Sequence, residues 1–170
     1  LMPARIGFAT SVQLGLSCME EIAALGGRLE LVMTLPDDVA QKKSGRVSLD
    51  EFCRHYGFPL TKRRNINEPD SVAAIRAAEL DWLFVLEPQS VRADVLSAPR
   101  LGCLGMHPAL LPQGRGRAVI PWAILKGLSR TGLTMFKLDA GVDTGPILEQ
   151  LEIPVAPDET APTLYAKVME

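Results

Sequence analysis

Two short apolar runs constrain the fold of this chain more than any other feature. Residues 81–88 are DWLFVLEP and residues 101–108 are LGCLGMHP, and each contains an uninterrupted apolar stretch. Continuous apolar runs of this length are typical of strands buried on both faces in the middle of a parallel sheet. Because parallel strands need crossover connections, usually helices, the two runs predict an α/β fold.

The rest of the chain supplies the alternation of strands and helices that such a fold needs. A strand at residues 5–10, a helix within residues 17–27 and a strand at residues 29–35 imply a right-handed parallel crossover. We therefore predict one domain with a doubly wound, mostly parallel sheet. Further helices are predicted at residues 48–57, 69–80, 119–128 and 158–170, and further strands at residues 131–139 and 146–155.

Two local patterns refine these predictions. Ser48 followed by Glu51 three residues later predicts an N-cap with a capping box. The strands at residues 131–139 and 146–155 alternate apolar and polar residues, which predicts one wetter face on each.

Composition bounds the class of protein. A length of 170 residues suits one domain, predicted at residues 2–170, and a helix that stops at Glu170 is compatible with a truncated C-terminus. The formal net charge of −2 is unlike the basic excess of a large nucleic-acid surface. Three widely spaced cysteines (Cys18, Cys53 and Cys103) predict free thiols in a cytoplasmic protein. No run approaches the ~20 apolar residues of a membrane span.

The glycine patterns of the common nucleotide sites do not occur where they are needed. A dinucleotide fold would carry G-x-G-x-x-G after the first strand, but Gly7 and Gly15 lack that spacing. The chain contains no GxxxxGK[ST] sequence either. Neither an NAD site nor a P-loop is predicted.

The second of only two histidines, His107, ends the apolar run at residues 101–108. Ligands of doubly wound sheets bind beyond the carboxyl ends of the strands. A later loop with Asp139, Gly141, Asp143 and Gly145 can bring an aspartate to this histidine, and a carboxylate beside imidazole favours the charged form. Such a pair suits oxyanion stabilisation or acid–base catalysis and needs no metal. Each motif alone is also typical of a structural histidine or an ordinary turn.

The order of these motifs resembles a known family. Five short motifs between residues 107 and 147 are similar to those of the formyltransferases that use 10-formyltetrahydrofolate. They are HPALLP, RG, PWAILKG, TGLT and GVDTGPI. The resemblance implies a doubly wound α/β fold, 10-formyltetrahydrofolate as the formyl donor, and catalysis by an asparagine, a histidine and an aspartate. His107 and Asp143 match the last two, whereas the asparagine position is occupied by Gly105.

The missing amide leaves three accounts open. Loss of one preorganised donor to an oxyanion typically slows catalysis by ~10²–10³-fold. The enzyme is slow, or another donor on the loop after residue 86 replaces the amide, or the protein binds folate without catalysis. Gln89, with Ser90 as the alternative, is the predicted replacement donor, and Gln89 is equally typical of an exposed loop residue.

The resemblance also implies binding residues. The pterin of the donor is expected against the backbone of two loops, and Glu87 and Pro88 stand where the family usually has glycine or an aromatic residue. The acceptor is expected near Gly105, Met106, Pro108 and Arg115. The predicted donor-binding residues are Leu86, Glu87, Pro88, Gln89, Ser90 and Val91 in the first loop and Leu138, Asp139, Ala140, Gly141 and Val142 in the second.

The expected acceptor is the amine of a small biosynthetic metabolite, either an amino sugar nucleotide or an amino-acid-type amine. The net charge of −2, and the lack of the basic C-terminal domain usual for a tRNA substrate, make tRNA an unexpected partner. A homodimer is compatible with the family. The alternatives are a 10-formyltetrahydrofolate hydrolase, with water as acceptor, and a catalytically weakened folate-binding protein.

Overall fold

A computed structural model describes residues 2–42, 45–87 and 89–170. Its strands form a seven-stranded sheet in the order β3-β2-β1-β4-β5-β6-β7. Pairs β1–β2, β1–β4, β2–β3 and β4–β5 are parallel, and β6–β7 is antiparallel. The elements are β1 (Ile6–Thr10), α1 (Gln13–Ala24), β2 (Leu29–Thr34), α2 (Asp37–Ala40), α3 (Asp50–Tyr56), β3 (Leu60–Lys62), α4 (Pro69–Ala77), β4 (Trp82–Leu86), α5 (Ala93–Leu96), β5 (Gly102–His107), α6 (Val119–Leu125), β6 (Arg130–Lys137), β7 (Ile147–Pro154) and α7 (Ala161–Met169).

The chain divides into two compact units, Leu1–Leu104 and Gly105–Glu170. In the first unit, the apolar runs predicted as central strands are buried as expected. Phe8 of β1 stacks on Phe84 of β4 with ring centroids 4.7 Å apart, and Leu83 is fully buried. The predicted doubly wound α/β fold is confirmed.

The second unit contains the end of β5, the β6–β7 hairpin and helices α6 and α7. Its apolar cluster joins Ala123 of α6, Ile153 of β7, and Leu164 and Val168 of α7, all buried. The predicted wet face is seen on β6, which alternates buried and more exposed residues. It is wrong for β7, where Ile153 is the one buried residue, because this is the edge strand of the sheet.

The predicted capping box at Ser48 is wrong. Helix α3 begins at Asp50, its N-cap is Leu49, and no side chain caps it. The Ser48 hydroxyl donates to the Asp50 carboxylate at 2.7 Å and accepts from the Asp50 amide at 3.4 Å. A capping box would instead join Ser48 to the amide and side chain of Glu51, three residues later.

Three elements of three or four residues were not predicted: α2, β3 and α5. Within the described ranges, no helix combines the length and apolar character needed to cross a bilayer.

Candidate functional site

His107 is the last residue of β5 and is 8% exposed. Its Nε2 lies 2.7 Å from the carbonyl oxygen of Gly114, seven residues further along the chain. Because a carbonyl oxygen can only accept, this contact requires a proton on Nε2. The nitrogen that faces Asp143 is therefore Nδ1, and its distance to Asp143 Oδ2 is 3.7 Å.

Asp143 lies in the loop between β6 and β7, in the left-handed region with φ of +53°. Its Oδ2 accepts a hydrogen bond of 2.9 Å from the backbone amide of Gly116. The 3.7 Å to His107 Nδ1 is an ion-pair distance but too long for a hydrogen bond. The side chain of His107 is 10% exposed and that of Asp143 is 19% exposed, so the two groups form a pair that is shielded but still accessible.

The loop that carries Asp143 is shaped by another aspartate. Asp139 Oδ1 accepts from the Thr144 hydroxyl at 2.6 Å and from the Gly141 amide at 2.9 Å. The Thr144 bond first, then the Gly141 bond and the charge of Arg115, hold the pKa of Asp139 below its ordinary value. Asp139 is thus a structural carboxylate that closes the turn presenting Asp143.

The glycine at the end of this loop is required by a close backbone approach. A Cβ on Gly145 would collide with the carbonyl oxygen of Lys137, the last residue of β6. The loop base is closed by a 2.9 Å hydrogen bond from the Lys137 amide to the Pro146 carbonyl. The glycines in this motif therefore fix the turn that places Asp143.

In the first unit, the loop after β4 is held by side chains. The Thr10 hydroxyl donates to the Leu86 carbonyl at 2.9 Å, and the Ile66 amide donates to Gln89 Oε1 at 3.3 Å. Asn67 donates from Nδ2 to the Ser90 carbonyl at 2.7 Å and accepts the Arg92 amide at 2.8 Å. Of the predicted donor-binding residues here, Pro88 lies outside the described residues.

No group of three or more histidine, cysteine, aspartate or glutamate side chains in the described part of the chain could hold a metal ion. The cysteines form no disulfide among these residues, and burial raises the pKa of the Cys53 thiol to about 11. A thiol with so high a pKa is a poor nucleophile at neutral pH.

A family model described as formyl transferase matches residues 21–170. The chain belongs to this formyl transferase family. Methionyl-tRNA formyltransferase of Nitrosospira multiformis is 35% identical over 167 residues, which cover 96% of this chain and 54% of that protein. Its counterpart from Thiobacillus denitrificans is 33% identical over 168 residues, which cover 95% of this chain and 53% of the relative. The chain thus spans about half the length of these curated relatives.

Solved structures agree on the fold. Glycinamide ribonucleotide transformylase 1 from Symbiobacterium toebii superposes with a TM-score of 0.82 at 24% identity, covering 98% of this chain and 80% of that one. A formyltetrahydrofolate deformylase from Pseudomonas syringae pv. tomato also reaches 0.82, at 14% identity, covering 99% of this chain and 57% of that one. At these identities the likeness speaks for the architecture alone.

The relatives correct the predicted partner. The expectation of a small-molecule amine acceptor, with tRNA as an unexpected partner, is wrong, because relatives aligned over nearly the whole chain are named methionyl-tRNA formyltransferases. The net charge of −2 misled the prediction for a physical reason. It describes a stretch that spans about half of those relatives, and a local charge balance does not measure the surface of a longer protein.

The structure gives a steric reason for the glycine at the family's asparagine position. A Cβ built on Gly105 would lie 2.7 Å from Cδ2 of Leu138, closer than side-chain carbons approach. The methyl end of the flexible Leu138 side chain, which follows β6, would therefore have to shift to admit a side chain at position 105. The two residues form a matched pair.

The other predicted residues of the second unit lie around this site. Met106 and Pro108, which flank His107, are half-buried, and Arg115 is exposed close enough to Asp139 to act on it electrostatically. Leu138 is half-buried, and the remaining predicted donor-binding residues of this loop are exposed: Asp139, Ala140, Gly141 and Val142.

Sequence reasoning missed the residues that hold the pair. Gly114 and Gly116 contact His107 and Asp143 through backbone atoms, which leave no residue-type pattern to search for. The one available indication is the doubled glycine in QGRGR, residues 113–117. The fully buried Thr134 was also missed. Its hydroxyl donates to the carbonyl of Ala109, two residues after His107.

Proposed function

We propose that this chain carries the catalytic part of an N-formyltransferase that moves the formyl group of 10-formyltetrahydrofolate to an amine. The observation that carries the proposal is the His107–Asp143 pair at the end of β5 in a member of the formyl transferase family. Both residues were chosen from sequence words separated by more than thirty positions, and the fold brings their side chains to 3.7 Å.

The proposed chemistry assigns each group one task. The neutral acceptor amine attacks the formyl carbon, a C–N bond forms, and the carbonyl oxygen becomes an oxyanion. His107 stabilises that oxyanion by donating a hydrogen bond. Asp143 accepts the proton lost by the ammonium nitrogen, directly or through water. Collapse re-forms the carbonyl and breaks the carbon bond to N10, which takes the proton held by Asp143, and the products are tetrahydrofolate and a formamide.

For the acceptor we propose the α-amine of an aminoacyl-tRNA, with methionyl-tRNA as the first substrate to test. Support comes from the names of relatives that are 31–35% identical over nearly the whole chain. For the donor we propose the backbone of residues 138–142 as a contact of the pterin. Residues 139–142 of this loop are exposed and immediately precede Asp143. The donor contacts predicted for Leu86, Glu87, Ser90 and Val91 stay predictions.

Gln89 remains our proposal for the second oxyanion donor. Its Oε1 already accepts from the Ile66 amide, so the –NH₂ group of the same carboxamide is the half that can donate elsewhere. A neutral amide is a suitable partner for a charged imidazole in stabilising an oxyanion.

A second candidate function is folate binding without efficient turnover. The observation that favours it is Gly105 itself, which offers no side-chain donor, and a Cβ there would lie 2.7 Å from Cδ2 of Leu138. If no other group replaces that donor, the expected loss is ~10²–10³-fold in rate.

One pair of measurements tests these functions. The first is thermal unfolding with 5-formyltetrahydrofolate, a stable analogue of the donor. Ligand at a hundred times its Kd stabilises a site by ~2.7 kcal/mol, which raises the Tm of a domain of this size by roughly 5–10 °C. The second is release of tetrahydrofolate from 10-formyltetrahydrofolate with and without methionyl-tRNA.

Each outcome has a distinct meaning. A Tm shift with turnover that needs methionyl-tRNA supports the transferase. Formate release without an acceptor identifies a hydrolase, and a Tm shift without turnover identifies a binding protein. No Tm shift at saturating ligand contradicts every folate-dependent reading.

A further inference from the structure

The loop that follows β5 makes one backbone contact with His107 and one with Asp143, the proposed catalytic pair. We call residues 112–118 the glycine-rich loop. It is exposed along its length except at Gly116, which is half-buried. Before it, the Leu111 amide donates to the buried Thr134 hydroxyl at 3.2 Å, and after it helix α6 begins at Val119. The loop is therefore fixed at both ends, and its middle contacts His107 and Asp143.

The first contact determines which nitrogen of the neutral His107 imidazole carries the proton. The carbonyl of Gly114 accepts from His107 Nε2, so in the neutral ring the proton is on Nε2 and Nδ1 is bare. An imidazole has two nitrogens, and this bond occupies one of them. Nδ1, on the Asp143 side, is the nitrogen left for proton exchange with a reactant.

The second contact holds the carboxylate. The Gly116 amide donates to Asp143 Oδ2, the same oxygen that lies 3.7 Å from His107 Nδ1. Gly116 has φ of +95°, a conformation that residues with a side chain rarely adopt. The amide reaches Asp143 because the chain turns in this way at a glycine.

We propose that Gly114 and Gly116 are positioning residues that act through their backbone, Gly114 on His107 and Gly116 on Asp143. In this arrangement the carbonyl of Gly114, rather than Asp143, orients the imidazole. Asp143 is then available as the proton acceptor for the amine, beside the Nδ1–H that faces the oxyanion. The catalytic meaning of this inference rests on the proposed function, whereas the geometry it assigns does not.

The tautomer of His107 tests the first contact without any turnover. His55 and His107 are the only histidines, so ¹⁵N-histidine labelling gives two ring systems, and the resonances that a His55→Ala variant removes assign the exposed ring. At a pH where both rings are neutral, we expect His107 to be protonated on Nε2 with a bare Nδ1. A proton on Nδ1 in the neutral ring overturns the assignment.

Matched glycine variants test the second contact. Gly116 and Gly127 both lie in the left-handed region, with φ of +95° and +62°, and a Cβ on either would meet no heavy atom within 4 Å. Gly116→Ala and Gly127→Ala therefore introduce the same kind of backbone strain, but only the first disturbs the amide at Asp143. Both are expected to lower the Tm.

The kinetic readout separates positioning from stability. Gly116→Ala is expected to lower kcat roughly 10- to 100-fold, the worth of one hydrogen bond to a charged group, with KM for the donor within about twofold. Gly127→Ala is expected to keep kcat within about twofold of the unmodified chain. Equal kcat values for the two variants overturn the role of Gly116. If the unmodified chain turns over no acceptor, the proposed function fails, while the tautomer of His107 still decides whether the Gly114 contact exists.

Discussion

The loops after β4 and after β5 are held in opposite ways. After β4, side chains bond the backbone of the loop, whereas after β5, backbone groups of the loop bond the side chains of other residues. In the first loop, Gln89 and Asn67 use their carboxamides to bond backbone groups. In the second, backbone groups of Gly114 and Gly116 bond His107 and Asp143. Both loops follow a buried parallel strand, so position alone does not distinguish them. Their difference shows that the side chains of His107 and Asp143 are held by glycine backbone atoms.

The sharpest test of this contrast is the removal of His107. His107→Ala is expected to lower kcat/KM for formyl transfer by at least about 10³-fold, since the proposed oxyanion donor is lost and Asp143 loses its ionic partner. His55→Ala is the matched control, because His55 is exposed and lies edge-on to Tyr56. Turnover that survives in His107→Ala would contradict the site.

The two aspartates of one loop provide the next test. Asp143→Asn keeps the size of the side chain but removes the proton acceptor, and should lower kcat by about 10²- to 10³-fold. Asp139→Asn should leave kcat within severalfold of the unmodified chain and lower the Tm, because Asp139 closes the turn. Similar losses of kcat in both variants would contradict the separate roles given to them.

Asp139 also predicts a pH dependence of stability. Its pKa is lowered in the folded chain, so its contribution is fully present above the unfolded pKa, about 3.9, and is lost as the pH falls through the lower folded value. The Tm difference between the unmodified chain and Asp139→Asn should therefore shrink below pH 4. A difference that stays constant down to pH 2 would exclude a charged role for this carboxylate.

The loop after β4 can be tested for a hidden donor. Gln89→Glu keeps an oxygen for the Ile66 amide and removes the –NH₂ group, so it should lower kcat by about 10²-fold with little change in Tm. Gln41→Glu makes the same charge change at an exposed position and serves as control. An unchanged kcat in Gln89→Glu would leave Gln89 as a structural residue only.

The smallest expected effect concerns Gly105 and Leu138. Gly105→Asn should cost about 1–3 kcal/mol by overpacking against Leu138, without a gain in rate. Adding Leu138→Ala should restore most of the Tm and raise kcat by roughly tenfold, the worth of one regained hydrogen bond. Leu138→Ala alone is the control. A rate gain in the single variant would show that Leu138 moves aside easily.

Much of the architecture was predictable because two uninterrupted apolar runs, bounded by polar residues and prolines, favour buried strands. The runs ending at Leu86 and His107 became β4 and β5, which pair in parallel as predicted. The elements that were missed have three or four residues, too few to develop a period. The capping-box prediction was wrong because Ser48 bonds the side chain and amide of Asp50, two residues on, and not Glu51, three residues on.

The proximity of His107 and Asp143 was predictable from their residue types, the glycines around Asp143 and the resemblance to the formyltransferases, and the structure places them 3.7 Å apart. Their catalytic roles stay predictions. The contacts from Gly114 and Gly116 were not found, because every residue except proline has the same backbone donor and acceptor. The contact of Gly105 with Leu138 also required the fold, since thirty-two residues separate them.

The Thr134 hydroxyl leads us to expect different rates of amide exchange in two parts of the segment after His107. It donates to the Ala109 carbonyl and accepts from the Leu111 amide and Gln150 Nε2, which uses its whole hydrogen-bonding capacity. Exchange of the Leu111 amide with solvent deuterium then requires opening of a buried network. Exchange at Gly116 requires only that one amide leave a partly exposed carboxylate. We therefore expect the Leu111 amide to exchange with deuterium more slowly than the Gly116 amide, although the two lie five residues apart.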